Sequence, residues 1–181
     1  HPPLARACTG DASLVEMAKI GRPALIRGNS INATGEKIKL YQDTMSAAGF
    51  NEEAVEATLD QIWVWREMHI AETNDEAMND FLPAHYDAYE HLEGVRAEWN
   101  PPSMEISIQR APLGPSGYAE APNPDTSENL VGGYKRVSEQ VALMQDVGVR
   151  NLMLTNRGLV SQEKTKKSLT LLSEKIMPFF R

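Results

Sequence analysis

Apolar positions recur along the chain with two periods, near two and near 3.6, and their alternation sets the expected order of elements. Residues 3–8 (Pro-Leu-Ala-Arg-Ala-Cys) and Ala24-Leu25-Ile26, bounded by Pro23 and Gly28, read as short strands. Residues 61–71, rich in β-branched and aromatic side chains, predict a third strand, and Asn151-Leu-Met-Leu-Thr155 a fourth. Helices lie between them. The first opens at Asp11, taken as its N-cap with Ser13 and Glu16 spaced like a capping box, and closes at Gly21. Ile38, Tyr41 and Met45 share a face over 34–48, Gly49 ends that helix, and Asn51 caps a short one to Leu59. Thr73-Asn-Asp-Glu76 starts a long helix to about Ala97, which Pro83 is expected to interrupt. Val137, Val141, Met144 and Val147 mark a helix over 134–147. Leu169, Leu172 and Ile176 mark the last, over 161–176, with Pro178 ending it.

This β-α-β-α-β-α-β-α order builds a parallel sheet. Two architectures satisfy it: a doubly wound sheet, or half of a (β/α)8 barrel. A whole barrel takes about 250 residues and seldom fewer than 200, so 181 residues cannot hold one. Pattern alone favours the doubly wound sheet. Between about 98 and 128 the periodicity stops, and Pro101, Pro102, Pro112, Pro115, Pro122 and Pro124 make a long irregular loop.

Composition narrows the function classes. Hydrophobic residues at 41% and charged residues at 24% are ordinary for an ordered globular chain. A net charge of −7 argues against a nucleic-acid binder, which needs a basic face. No apolar run approaches the roughly 20 residues that span a bilayer. The lone cysteine, Cys8, excludes an internal disulfide framework and suits a reducing cytosol, the expected compartment. A chain that begins at His1 is expected to be processed or part of something longer.

The candidate chemistry lies mainly at strand ends. Thr9-Gly10-Asp11-Ala12-Ser13 joins a strand's carboxyl end to a helix's amino end, where free N–H groups and the helix dipole favour an anion. Read by spacing alone, Asp11 and Ser13 equally serve as helix caps. Arg27 and Arg157 fall at strand ends, where either could pair with a phosphate or a carboxylate or simply face solvent. His69 reads as packed. His85, Asp87, Tyr89 and His91 cluster on the long helix, but Asp87 and His91 alone do not make a metal site, and no metal is expected. Asn32-Ala33-Thr34 matches a glycosylation sequon by pattern only.

Four patches then occur in one order. Pro2-Pro-Leu-Ala-Arg-Ala-Cys-Thr-Gly-Asp-Ala-Ser-Leu-Val-Glu-Met-Ala-Lys-Ile-Gly21 comes first, and Met68-His-Ile-Ala-Glu-Thr-Asn-Asp-Glu-Ala77 second. Leu130-Val-Gly-Gly with Val137 and Gln140 is third. Asp146-Val-Gly-Val-Arg-Asn-Leu-Met-Leu-Thr155, with Gly158, Ser161 and the run from Ser168 to Met177-Pro-Phe-Phe180, closes the series. Together they resemble the luciferase-like flavin-dependent monooxygenases over nearly the whole chain except about 98–128. The first patch looks like that family's fifth strand and following helix, the second like its seventh, and the third like the helix before its last strand.

The resemblance implies an α/β chain, 1–181, that is the carboxyl-terminal half of one TIM barrel: four βα units, strands five to eight, with the N-terminal half absent. It implies that Thr9, Gly10 and Ser13 hold the phosphate of flavin mononucleotide (FMN), with Ala7 and Cys8 beside it. The implied activity is an oxidoreductase: a monooxygenase that uses reduced FMN from a separate flavin reductase, and O2, to oxygenate a small organic substrate. Much of the ring pocket and the acid–base groups come from the other half, so the fragment alone is expected to be inactive and no catalytic residue is named. Tyr118 and the loop over 100–128 are expected to form a lid that keeps water from the oxygenated flavin. A homodimer, or pairing with the missing half, is expected to satisfy the open strand edges; no nucleic acid and no membrane is. Three alternatives stay open: an oxidoreductase of the same superfamily using the deazaflavin F420, a non-catalytic partner subunit, and an unrelated phosphate-binding module.

Overall fold

The computed structural model describes residues 4–27, 30–99, 129–156 and 160–180. Its strands are β1 (Arg6–Cys8), β2 (Ala24–Arg27), β3 (Trp63–Ala71), β4 (Leu130–Gly133) and β5 (Asn151–Thr155). The helices are α1 (Asp11–Lys19), α2 (Ile31–Ala47), α3 (Glu52–Leu59), α4 (Asn74–Trp99), α5 (Tyr134–Asp146) and α6 (Gln162–Leu171). The strands form one sheet in the order β1-β2-β3-β4, and β5 also pairs with β3. The β1–β2, β2–β3 and β3–β5 pairs are parallel, with Cys8 beside Ile26, Ile26 beside Val64, and Val64 beside Leu152. Along β1, β2, β3 and β5 each strand lies next to its predecessor and the order never reverses. A doubly wound sheet reverses at a switch point, whereas a barrel winds in one direction. The strand order therefore decides for the barrel.

The chain divides into two compact units, which part within β3 between Met68 and His69. Among the described residues the first comprises 4–27, 30–68, 129–130 and 138–155. Its sheet has two unlike faces. Cys8, Ala24, Ile26 and Val64 are buried on one, packed with Leu14, Ile38, Tyr41, Met45 and Met144 in the core. On the other, Ala7, Leu25, Trp63, Trp65 and Met153 stay wholly or partly accessible, Trp63 at 44% and Met153 at 42%. Apolar side chains left in water on one face of a parallel sheet mark a face built to be covered, as a barrel interior is.

Among the described residues the second unit comprises 69–99, 131–137, 156 and 160–180. Ala71, Ala77, Phe81 and Val131 form its buried cluster, with Met78 and Leu82 packed against it.

The structure corrects several local expectations. Leu130–Gly133 is a fifth strand, where the sequence suggested only the approach to a helix. All four of its residues are buried, and the Asn74 side chain accepts the Gly133 N–H at 2.8 Å. A Cβ on Gly133 would lie 3.3 Å from the backbone of Glu72, Thr73 and Asn74, so any side chain there would press the two segments apart by a few tenths of an ångström. Helix α4 runs unbroken past Pro83 for 26 residues. Proline denies a hydrogen bond to the Asn79 carbonyl one turn earlier, but Asn79 and Pro83 are both exposed and water can take that place. The N-cap of α1 is Gly10 rather than Asp11, and α2 begins at Ile31, where the Ser30 hydroxyl accepts the Ala33 N–H. The last helix passes at Leu172 into a π turn and then a 3₁₀ turn holding Pro178. The expected loop over 98–128 lies almost wholly outside the described residues, as do Tyr118, Arg157 and Gly158.

Candidate functional site

The turn between β1 and α1 brings Thr9, Gly10 and Ser13 together. Gly10 has extended backbone angles (φ −120°, ψ 162°), and no side chain caps the helix behind it. The first intrahelical bond runs from Leu14 N–H to the Gly10 carbonyl, so the N–H groups of Asp11, Ala12 and Ser13 have no partner within the helix. A Cβ at Gly10 would meet nothing within 4 Å, which leaves open space over these donors. A phosphate fits such a cradle. Two features work against it: Asp11 puts a carboxylate in the first turn, and the Ser13 hydroxyl already donates to the Gly10 carbonyl at 2.8 Å. To bind a phosphate, that hydroxyl would have to turn.

Cys8 is turned away from this cradle. Its side chain is buried with Ile26 on the covered face, and the thiol donates weakly to the Arg6 carbonyl at 3.5 Å. Ala7 points to the open face beside Leu25. Only the backbone of these two residues borders the turn.

Three further groups of the first unit meet at the same sheet edge. Lys37, on α2, donates to the carbonyls of Thr9 at 3.2 Å and Arg27 at 3.4 Å, tying together the carboxyl ends of β1 and β2. Arg27 lies with its guanidinium 5.3 Å from the centre of the Trp65 ring, its neighbour across the β2–β3 register. Local sequence gave no signal for Lys37, which is 28 residues from Thr9 and reaches it only because α2 folds back over the strand ends. The sequon at Asn32 is structural: Thr34 is buried, donates to the Ser30 carbonyl, and accepts from buried Arg66 at 2.7 Å.

In the second unit His69 is buried, its Nε2 3.3 Å from Asp80 Oδ2, and Lys164 of α6 pairs with the other Asp80 oxygen. Burial pushes the Asp80 carboxyl up, but the bonds from Lys164 and His69 outweigh it and hold the group below the usual carboxylate range. Asp80 is thus a carboxylate at neutral pH and His69 donates to it through Nε2. Ser168, one turn beyond Lys164, accepts the Ile70 N–H at 2.8 Å. These bonds fasten α6 to the end of β3, so His69 is a packed group, as its place in a strand suggests. His85 stacks on Phe81 with ring centres 5.1 Å apart, whereas Asp87 and His91 are exposed. Among the described residues no three metal-ligating side chains stand together, and no helix is long and apolar enough to cross a membrane.

No protein-family model matches the chain, and no curated protein matches it in sequence. Solved structures match it along its length. The monooxygenase RslO1 from Streptomyces bottropensis is similar over 100% of this chain and 49% of its own, with a TM-score of 0.67 and 20% identity. The oxygenating constituent of 3,6-diketocamphane monooxygenase from Pseudomonas putida, a type II Baeyer-Villiger monooxygenase in complex with FMN, is similar over 99% of this chain and 49% of its own (TM-score 0.65, 16% identity). The coenzyme F420-dependent tetrahydromethanopterin reductase from Methanopyrus kandleri is similar over 99% and 51% (TM-score 0.62, 15% identity). The chain spans about half the length of each of these proteins. One-directional strand order, a sheet covered on one face only and these likenesses agree: the chain has the fold of half a (β/α)8 barrel.

Proposed function

We propose that this chain is the carboxyl-terminal half of a flavin-dependent monooxygenase and supplies the side of the barrel that holds the flavin phosphate. The observation that carries the reading is the uncapped amino end of α1 with open space over Gly10, at a strand's carboxyl end, where barrel enzymes of this kind place their sites. Thr9, Gly10 and Ser13 would hold the FMN phosphate through backbone N–H groups and hydroxyls. Lys37 occupies the carbonyls of Thr9 and Arg27, so the edge offers positive charge and donors in place of free lone pairs. When bound, reduced FMN supplies the oxygenation with O2. This chain's residues orient it and leave the ring pocket to the other half. The accessible face of Leu25, Trp63, Trp65 and Met153 is where that half would close the barrel, and a cytosolic flavin reductase would provide the reduced cofactor.

The test is equilibrium binding of FMN and riboflavin to the full-length protein, followed by flavin fluorescence. FMN is expected to bind at least tenfold tighter than riboflavin, and Gly10→Ala, which crowds the cradle, is expected to narrow the gap. An absence of FMN binding removes the reading. The deazaflavin F420 is the second reading, favoured by the likeness to the F420-dependent reductase. It uses the same cradle, and tighter binding of F420 than of FMN would select it.

A further inference from the structure

Arg27 stands apart from the arginines whose side chains are already engaged. Arg6 pairs with Glu16, Arg150 with Glu56 and Asp60, and Arg66 is buried against Thr34. The Arg27 guanidinium lies instead over the Trp65 ring, and among the described residues no carboxylate or other acceptor meets its N–H groups. Contact with the ring face restrains the guanidinium without using its N–H donors, which stay available to an anion. Its setting is equally specific. Arg27 is the last residue of β2, exposed on the open face of the sheet, and Lys37 covers its carbonyl oxygen. A lone pair that would repel an anion is thereby occupied by an ammonium group, which brings a second positive charge to the carboxyl end of β2.

We propose that Arg27, held by Trp65, is an oxoanion-binding group of the barrel mouth, gripping a carboxylate or phosphate through paired N–H donors. The inference rests on the reading above only in placing the ligand at the strands' carboxyl ends. The oxoanion has two possible sources, an anionic substrate or a phosphorylated cofactor, and the experiment separates them.

The full chain is titrated with benzoate and with inorganic phosphate, read by tryptophan emission and by calorimetry, with far-UV circular dichroism confirming each variant's fold. At least one anion is expected to bind, and Arg27→Gln is expected to weaken it tenfold or more. Arg27→Lys, which keeps the charge without the fork, should fall between the two and carries the test if the Gln variant does not fold. Trp65→Leu keeps every charge yet should bind several-fold more weakly, because the fork is no longer held. A response to benzoate alone identifies a substrate carboxylate, a response to phosphate alone identifies the cofactor, and a response to both supports a shared site. Binding of neither anion, or wild-type affinity in Arg27→Gln, overturns the proposal. Benzoate binding that depends on Arg27 in a protein that binds no FMN would sink the flavin reading and leave this one standing.

Discussion

Replacing Tyr41 by Phe removes one oxygen from the core of the first unit, together with its hydrogen bond to the Arg22 carbonyl 2.6 Å away. The side chain is fully buried, and burial first, then the Cys8 thiol, pushes the phenol from 10.0 up to about 12. An unfolded chain ionises this phenol near pH 10, so between pH 10 and 12 the unfolded state sheds a proton that the folded state keeps. The neutral phenol's contribution is fully present below pH 10 and is lost as the pH rises toward 12. At about 1.4 kcal/mol for each pKa unit, the loss across that window approaches 3 kcal/mol. Tyr41→Phe gives up the hydrogen bond, costing about 1 kcal/mol at neutral pH, but escapes the alkaline loss. Urea unfolding followed by circular dichroism, at steps between about pH 8 and 11.5, should show the wild type more stable at first. The two curves should then converge just above pH 10 and cross before 12. Parallel decline of the two proteins through the alkaline range would refute the argument. Tyrosinate absorbance checks it independently, since one of the five tyrosines should titrate late.

Asp80→Asn should cost about 2 kcal/mol at neutral pH by leaving His69 and Lys164 without their carboxylate, measurable by thermal unfolding. Because the folded Asp80 carboxyl sits below its ordinary 3.8, its stabilisation is present above that pH and is lost as the pH falls through the folded value. Asp80→Asn should therefore flatten the acid limb of the stability profile. Gly10→Ala should leave stability within about 0.5 kcal/mol of wild type, since its methyl meets nothing, whereas Gly133→Ala presses on the backbone of Glu72 to Asn74 and should cost about 1–3 kcal/mol. Thr34→Val keeps the shape but takes an acceptor from buried Arg66, and should cost about 2 kcal/mol in the same assay.

The alternation of strands and helices was legible because each element carries its own period, and Asn51 was found as a cap because capping is a local matter. Strand order was not legible from pattern, since a doubly wound sheet and a half barrel use the same units. Only the family likeness of ordered patches pointed to the barrel. Strand β4 is hidden in the sequence because Leu130-Val-Gly-Gly reads as the lead into the helix that follows, whereas the value of Gly133 lies in a close approach to the backbone of residues 72–74. Pro83 misled in the opposite direction, because proline's cost depends on whether water reaches the orphaned carbonyl. At the candidate site the turn itself was visible as a strand end joined to a helix start. The direction of the Cys8 side chain and the reach of Lys37 depend on which face of the sheet is covered, and no local window holds that information.

The parallel pairs of the sheet differ greatly in the loops they close. Arg6–Cys8 meets β2 across little more than one helix, β2 meets β3 across two, and β3 meets β5 only after the whole of 72–150 has been laid down. Closure entropy rises only slowly with loop length, by about 0.6 kcal/mol per doubling, so the last pair is not much weaker for being distant. It is late. Synthesis from the amino end can join β1, β2 and β3 while the β5 side of β3 still shows bare N–H and C=O groups. Of the strand pairings made within the sheet, that one leaves its edge open to stray strands for longest during folding.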